Sequence, residues 1–177
     1  KKEYSTLNPP KKERFINYHC PVPIGTDSIL AVKTSLSSVQ SIILVRPSLK
    51  TEKTIHVPGQ LYPYYISYGD NKVVWVELQY DPRWENRSYS IIRMLNLKTG
   101  KVKRLSTRSR YFSAAISPDG KTIAAVETTV DNKSKLVFLD TEGKVTRSVE
   151  APAGAALQRP QWSADSRTVT VIALTEE

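Results

Sequence analysis

A short polar phrase returns three times along this chain, and it constrains the fold more than any other feature. It reads Ile66-Ser67-Tyr68-Gly69-Asp70-Asn71-Lys72, then Ile116-Ser117-Pro118-Asp119-Gly120-Lys121, then Trp162-Ser163-Ala164-Asp165-Ser166-Arg167. Each copy is a strand end, a tight polar turn and a basic residue, followed by a β-branched run. The serines Ser67, Ser117 and Ser163 stand 50 and 46 residues apart. A repeat of that length holds several short strands, which is the signature of a β-propeller blade.

The turn chemistry divides the chain into an arm and a series of four-stranded units. Residues 1–14 read as an N-terminal arm or linker, because Asn8-Pro9-Pro10 interrupts any regular element. The clearest blade lies in 109–152, with strands expected over 111–117, 121–128, 135–140 and 145–149. Ser117-Pro118-Asp119-Gly120 supplies a type I turn, with proline presetting φ at the second position. Leu136 and Phe138 alternate with Val137 and Leu139, so that strand should be covered on both faces. The preceding blade, 60–108, repeats the plan over 64–68, 72–79, 89–97 and 102–106, with a turn at Tyr68-Gly69-Asp70-Asn71. A weaker copy occupies 15–59, with strands expected over 18–22, 28–34, 41–46 and 54–57. Residues 153–177 supply the first half of a further blade, with strands over 160–163 and 168–174.

The expected class is therefore all-β: a β-propeller fragment of about three and a half four-stranded antiparallel blades. Propellers close from about four to eight blades, and closure protects sheet edges. The expectation is a piece of a six- to eight-bladed parent, with self-association through the uncapped blade edge as the other way to cover it.

Composition bounds the remaining classes. The net charge of +9 invites a nucleic-acid reading, but the basic residues are dispersed. They crowd the arm and bracket one predicted hairpin, where Lys and Arg discourage edge-to-edge pairing. No nucleic-acid partner is expected. No apolar stretch approaches the roughly 20 residues of a membrane span, and the arm lacks the apolar core of a signal peptide. Cys20 is the single cysteine, so no intrachain disulfide can form. His19 beside it would point to the opposite strand face.

The phrase Ile116-Ser117-Pro118-Asp119-Gly120-Lys121-Thr122-Ile123-Ala124, with Pro160-Gln161-Trp162-Ser163-Ala164-Asp165-Ser166, resembles the repeat of TolB-type β-propellers. Leu139-Asp140 fits the Leu-Asp that ends a strand of that repeat, and Thr99-Gly100 fits its turn. Arg104-Leu105-Ser106 sits where the family often carries Arg-Leu-Thr. The resemblance covers about residues 60–175. Ala114 stands in place of the family proline, Ser166 in place of the turn glycine, and the second blade lacks Pro-Asp-Gly. The resemblance implies an extracytoplasmic protein, periplasmic or outer-membrane-associated, that binds a protein or another envelope component. Related repeats occur in propeller domains of prolyl-oligopeptidase-like enzymes, which implies an alternative: a substrate-gating domain of a larger peptidase.

Catalytic and cofactor chemistry find no support in the residues. There is no Gly-x-Ser-x-Gly elbow and no glycine-rich phosphate loop. His19 and His56 lack the spacing of zinc ligands, and the turn aspartates lack the dense spacing of a calcium loop. Catalytic, cofactor and metal sites are all expected to be absent. One segment exceeds what the repeat requires: Tyr80, Asp81, Arg83, Trp84, Glu85 and Arg87, between the second and third strands of their blade. That connection emerges on the same face as the blade-to-blade loops. It concentrates residue types enriched at binding hot spots, which makes it the candidate partner-binding loop. Packing of Trp84 onto a neighbouring blade is the alternative.

Overall fold

The computed structural model describes residues 15–81, 83, 88–107, 110–152 and 154–175, with the backbone alone at 62 and 63. All regular structure among them is β. Fourteen strands follow in order: β1 (Asn17–Ile24), β2 (Ser28–Thr34), β3 (Ser41–Arg46), β4 (Thr51–His56), β5 (Gln60–Gly69), β6 (Lys72–Tyr80), β7 (Ser88–Asn96), β8 (Val102–Arg104), β9 (Tyr111–Ile116), β10 (Thr122–Thr128), β11 (Ser134–Asp140), β12 (Val145–Glu150), β13 (Ala156–Trp162) and β14 (Val169–Leu174). They form antiparallel meanders: β1-β2-β3-β4, β5-β6-β7-β8, β9-β10-β11-β12, and the two-stranded β13-β14. This is a partial β-propeller, as the repeat predicts.

The chain divides into two compact units after Pro58. In the first, Leu30, Val32 and Ile42 lie on one face of the sheet, and Ala31, Ile43 and Val45 on the other. Tyr18 packs against the second set, its hydroxyl donating to Glu52 Oε2 at 2.7 Å. Lys33 Nζ reaches the other oxygen of that carboxylate at 2.6 Å. Burial and the neighbouring Glu52 push the Tyr18 phenol well above its ordinary value.

In the second unit the three sheets stack face to face. Val74, Val76, Ile92 and Met94 of β6 and β7 meet Ala114, Ile116, Ile123, Ala125, Val137 and Leu139 of the next sheet. The opposite face of that sheet, with Ala124, Val126 and Leu136, meets Leu157, Trp162, Val169 and Val171. Thus β10 and β11 are apolar on both faces because each face has its own neighbour. At the inner ends the sheets come close enough to bond directly. Ile116 N donates to Ser67 Oγ at 3.0 Å, and Trp162 Nε1 donates to Ala115 O at 3.0 Å.

Close approach explains the glycines at two turns. A Cβ on Gly69 would lie 2.0 Å from Ser117 O of the next sheet, and one on Gly143 would lie 2.1 Å from Leu105 O. Only a residue without a side chain lets the sheets meet there. Next to Gly143, Lys103 Nζ bridges to Glu142 Oε2 at 2.5 Å.

The structure departs from the expected strands at β4, which begins at Thr51 instead of residue 54, and in three places of the second unit. β5 and β13 begin upstream of the expected 64–68 and 160–163, with register shifts between Leu61 and Ile66 and between Gln158 and Gln161. Pro63 and Pro160 have no N–H for the ladder, so the strand bulges around each and resumes. Arg159 takes the left-handed region at φ 48° to make its bulge, as Cys20 does at φ 49° before Pro21 in β1. The second-blade turn falls one residue later than expected. Asp70 and Asn71, at φ 40° and 58°, are its central pair between Gly69 and Lys72, a type I′ geometry matched to strand twist. Last, β8 stops at Arg104, short of the expected 102–106. Ser106 Oγ, in place of a main-chain carbonyl, accepts the Ile92 N–H at 2.9 Å.

Candidate functional site

Strand direction alternates in a meander, so each sheet presents hairpins at one end and longer connections at the other. In the second unit the β5–β6, β9–β10 and β13–β14 turns share one end with the β7–β8 and β11–β12 turns. The β6–β7, β8–β9, β10–β11 and β12–β13 connections share the opposite end.

At the hairpin end the recurring phrase is a closed hydrogen-bond circuit. Ser117 Oγ donates to Asp119 Oδ1 at 2.5 Å and accepts the Thr122 N–H at 3.0 Å, while Asp119 Oδ1 accepts the Lys121 N–H at 3.1 Å. Ser163, Asp165, Arg167 and Thr168 repeat it, with 2.6 Å from Ser163 Oγ to Asp165 Oδ1 and 2.9 Å from Thr168 N to Ser163 Oγ. These bonds hold the Asp119 and Asp165 carboxyls below the ordinary range, the serine hydroxyl being the largest cause in each. Gly120, at φ 69°, and Ser166, at φ 60°, occupy the same left-handed place in the two circuits. The aspartates are thus consumed by their own turns.

At the connection end, β6 stops at Tyr80, which pairs with Ser88 at the start of β7. Tyr80 is 55% exposed. Asp81 Oδ1 accepts the Arg83 N–H at 2.9 Å, an Asx turn that folds the chain back and leaves Arg83 on the surface. Tyr80, Asp81 and Arg83 are therefore together at one exposed corner. Trp84, Glu85 and Arg87, the rest of the candidate loop, lie outside the described residues. The equivalent connection of the next sheet, between β10 and β11, is built differently. Thr129 Oγ1 donates to Asp131 Oδ1 at 2.6 Å and accepts the Lys133 N–H at 3.1 Å. The Thr129 hydroxyl, and after it the Lys133 ammonium 3.1 Å from Oδ2, lower the Asp131 carboxyl to about 2. Beside it a cavity of about 460 Å³ opens among Asn132, Lys133, Glu150, Pro152 and Ala155.

Among the described residues, the titratable groups elsewhere do not assemble into a reactive centre. His19 Nε2 lies 3.1 Å from Thr34 Oγ1, His56 ends the outer strand β4, and Cys20 is half-buried in the β1 bulge. Among the described residues no group of three or more His, Cys, Asp or Glu side chains could hold a metal ion. Glu77 is buried, yet it is saturated. Its Oε1 accepts from Trp75 Nε1 at 2.8 Å and from Gly59 N at 3.2 Å, and its Oε2 accepts from Arg93 Nε at 3.1 Å. It braces the start of β5 against β6 and β7.

Sequence reasoning missed a second surface. A groove of about 480 Å³ runs beside β14, lined by Leu136, Phe138, Val149 and Val169, with Arg147 and Arg167 among its polar members. The Phe138 and Trp162 rings meet edge to face at 6.0 Å, and the Arg147 guanidinium lies 5.8 Å over Phe138. Arg147 is the register partner of Phe138 across the β11–β12 hairpin, and the packing of the next sheet adds Trp162 and Arg167.

Comparison with known proteins agrees with this architecture. Residues 99–177 match the family model described as the lipoprotein LpqB β-propeller domain. A solved structure assigned as TolB from Agrobacterium tumefaciens superposes with a TM-score of 0.62 at 12% identity, over 84% of this chain and 51% of that one. The fold is a partial TolB-type β-propeller. TolB from Acinetobacter baumannii gives a TM-score of 0.61 at 20% identity, over 84% of this chain and 35% of that one. The β-propeller domain of the trilobed protease from Pyrococcus furiosus gives 0.54 at 15% identity, over 89% and 48%. The chain thus spans about half the length, or less, of the solved structures it matches, and at these identities the likeness is one of fold. No curated protein matches the chain. No helix is long and apolar enough to cross a membrane among the described residues.

Proposed function

We propose that this TolB-type propeller is a non-catalytic binding and scaffold module of a cell-envelope protein. Its contact patch is the β6–β7 corner of Tyr80, Asp81 and Arg83, continued by Trp84, Glu85 and Arg87. The observation that carries the reading is the corner itself. An exposed tyrosine and an exposed arginine are displayed around a hydrogen-bonded turn on a strand pair that packs on the next sheet. A preformed patch of this kind loses little conformational entropy when a protein or peptide docks on it. The lipoprotein description of the matched family model and the TolB likenesses support an extracytoplasmic setting, periplasmic or outer-membrane-associated.

Site-specific photocrosslinking in intact cells tests it. A photoreactive residue at Arg83 should give a discrete protein adduct in the envelope fraction. The same residue at Lys98, on the hairpin end, should give none. Equal labelling from both ends, or adducts confined to the cytoplasm, would sink the proposal.

The likeness to a protease propeller supports a second reading, in which the domain positions peptides for a catalytic domain. A Ser-His-Asp hydrolase domain in the same polypeptide would decide for that reading.

A further inference from the structure

The sheet of the first unit has two unlike ends. Its register pairs Asn17 with Thr34, Lys33 with Ser41 and Ile42 with His56. The start of β1, the β2–β3 loop and the end of β4 therefore share one end of the sheet, and the β1–β2 and β3–β4 turns share the other. Four large apolar side chains stand at the first of these ends, each more than half exposed: Phe15 at 69%, Leu36 at 83%, Val39 at 70% and Val57 at 52%. The turn end exposes one, Leu49, in the company of Asp27, Arg46 and Lys50. Exposed apolar side chains gathered in one place mark an interaction surface, whereas scattered ones do not.

We propose that this apolar end of the first unit seats on an anionic lipid surface, with Phe15, Leu36, Val39 and Val57 entering the boundary between headgroups and acyl chains. The surface belongs to the first unit alone and does not depend on the Tyr80 corner.

The β2–β3 loop holds its two tips on a preformed frame. Ser35 Oγ accepts the Ser38 N–H at 3.1 Å and lies 2.7 Å from Ser38 Oγ and 3.3 Å from Ser37 Oγ. The loop's hydroxyls thus bond to one another, which lowers the cost of moving them out of bulk water. Neighbouring strands lie about 4.8 Å apart, so the tips spread over roughly 15 Å from β1 to β4. The register sets them near one level, and all four can meet a flat surface together.

Composition favours lipid over protein as the occupant. Hot spots of protein interfaces are rich in Trp, Tyr and Arg and poor in Leu, Val, Ser and Thr. Leu, Val, Ser and Thr are what this end carries, with a single Phe. Residues 15–17, 34–40 and 56–58 include no Lys, Arg, Asp or Glu, so no fixed charge has to be desolvated when the tips enter. Charge then selects the kind of lipid. Residues 1–14, which lead into Phe15, carry five Lys and Arg against two Glu, with Lys11, Lys12 and Arg14 nearest. A basic segment joined to shallow apolar anchors combines the two attractions that hold a protein on anionic headgroups.

The probe is a vesicle of equal parts phosphatidylcholine and phosphatidylglycerol, mixed with the 177-residue chain, with phosphatidylcholine alone as the neutral counterpart. Co-sedimentation should show binding to the anionic vesicles at least about tenfold tighter than to the neutral ones. Leu36→Ser/Val39→Ser should keep the melting temperature, because both side chains are exposed, and should bind the anionic vesicles about tenfold more weakly. Leu36→Trp should give emission that shifts to the blue on the vesicles, relative to the unsubstituted chain, and is quenched by brominated phosphatidylcholine. Leu49→Trp, at the turn end, should show neither effect. Undiminished binding by the Leu36→Ser/Val39→Ser variant overturns the proposal, as does a failure of the chain to bind either vesicle. Equal quenching at positions 36 and 49 would mean adsorption by net charge alone and overturns it too. A photoreactive residue at Leu36 that labels one protein and no lipid in intact cells would give this surface to a protein partner, with the same consequence. Should the serine variant fail to fold, the two tryptophan variants still decide the matter.

Discussion

At the scale of single residues, the second unit is organised by small side chains where the sheets touch. β9 carries Ser113, Ala114 and Ala115 in succession, and all three are buried. Bulkier residues there would hold off β5 and β13, whose Tyr65 hydroxyl and Pro160 carbonyl meet at 3.2 Å. Ser113 meets the size requirement at a polar cost: its Oγ is buried and has no hydrogen-bond partner. An unsatisfied buried hydroxyl costs about 1–3 kcal/mol, while the methyl group of alanine costs nothing of that kind. Ser113→Ala should therefore be neutral or stabilise by up to about 1 kcal/mol, read as a shift of the urea midpoint at constant slope. A loss of stability would mean that the hydroxyl has a bonded partner in solution. Ala114, by contrast, faces β6 and β7, and its methyl group is what the adjoining core has room for.

At the scale of elements, two turns with the same bonds stand in different surroundings, and this separates the worth of a motif from the worth of its setting. Ser117 is 1% exposed and Ser163 is half-buried, yet each hydroxyl accepts a main-chain N–H and donates to its aspartate. Removing a buried acceptor leaves the Thr122 N–H without its bond, whereas water can reach the Thr168 N–H. Ser117→Ala should cost about 2 kcal/mol and Ser163→Ala well under 1 kcal/mol. Urea melts of the two variants test this, and equal losses would show that burial does not set the value of the circuit. The turn chemistry was legible in the sequence because it depends on neighbours two to five residues apart. So was the two-faced pattern of β11, where Leu136 and Val137 lead to opposite neighbours. The bulged starts of β5 and β13 were hidden, since Pro63 and Pro160 read as strand boundaries when they are interruptions within a strand. The β14 groove was hidden for another reason. Arg147 faces Phe138 across the β11–β12 hairpin, but Arg167 joins them only through the packing of one sheet on the next, and no local spacing encodes that. In the loop chosen from sequence, Tyr80, Asp81 and Arg83 prove to be neighbours because one Asx turn brings them there.

At the scale of the whole molecule, charge and turn chemistry act together when the pH falls. The chain carries 26 Lys and Arg against 17 Asp and Glu, so it is already positive at neutral pH. Six aspartates are held below their ordinary range by hydrogen bonds: Asp27 in the first unit, bonded by Ser48 of the β3–β4 turn, and Asp70, Asp119, Asp131, Asp140 and Asp165 of the second, each bonded within its own turn. A carboxyl whose folded value is depressed stabilises the fold fully above its unfolded value, about 4, and loses that contribution as the pH falls through the folded value. For Asp131 that decline runs down to about 2. The melting temperature should therefore be flat between about pH 5 and pH 8 and fall steeply below about pH 4. Two causes coincide in that window, protonation of turn aspartates and loss of the negative charge that offsets 26 cations, and salt separates them. Screening at high ionic strength relieves repulsion between exposed charges but cannot restore a carboxylate acceptor. At pH 3, 0.5 M NaCl should recover only part of the lost melting temperature. The remainder should appear as faster hydrogen exchange at Lys121, Arg167 and Glu142, whose N–H groups these carboxylates hold, with little change at Ala124 in the core. Full recovery by salt would assign the acid loss to net charge alone. A melting temperature unchanged at pH 3 would mean that the turn aspartates contribute nothing to holding the propeller together.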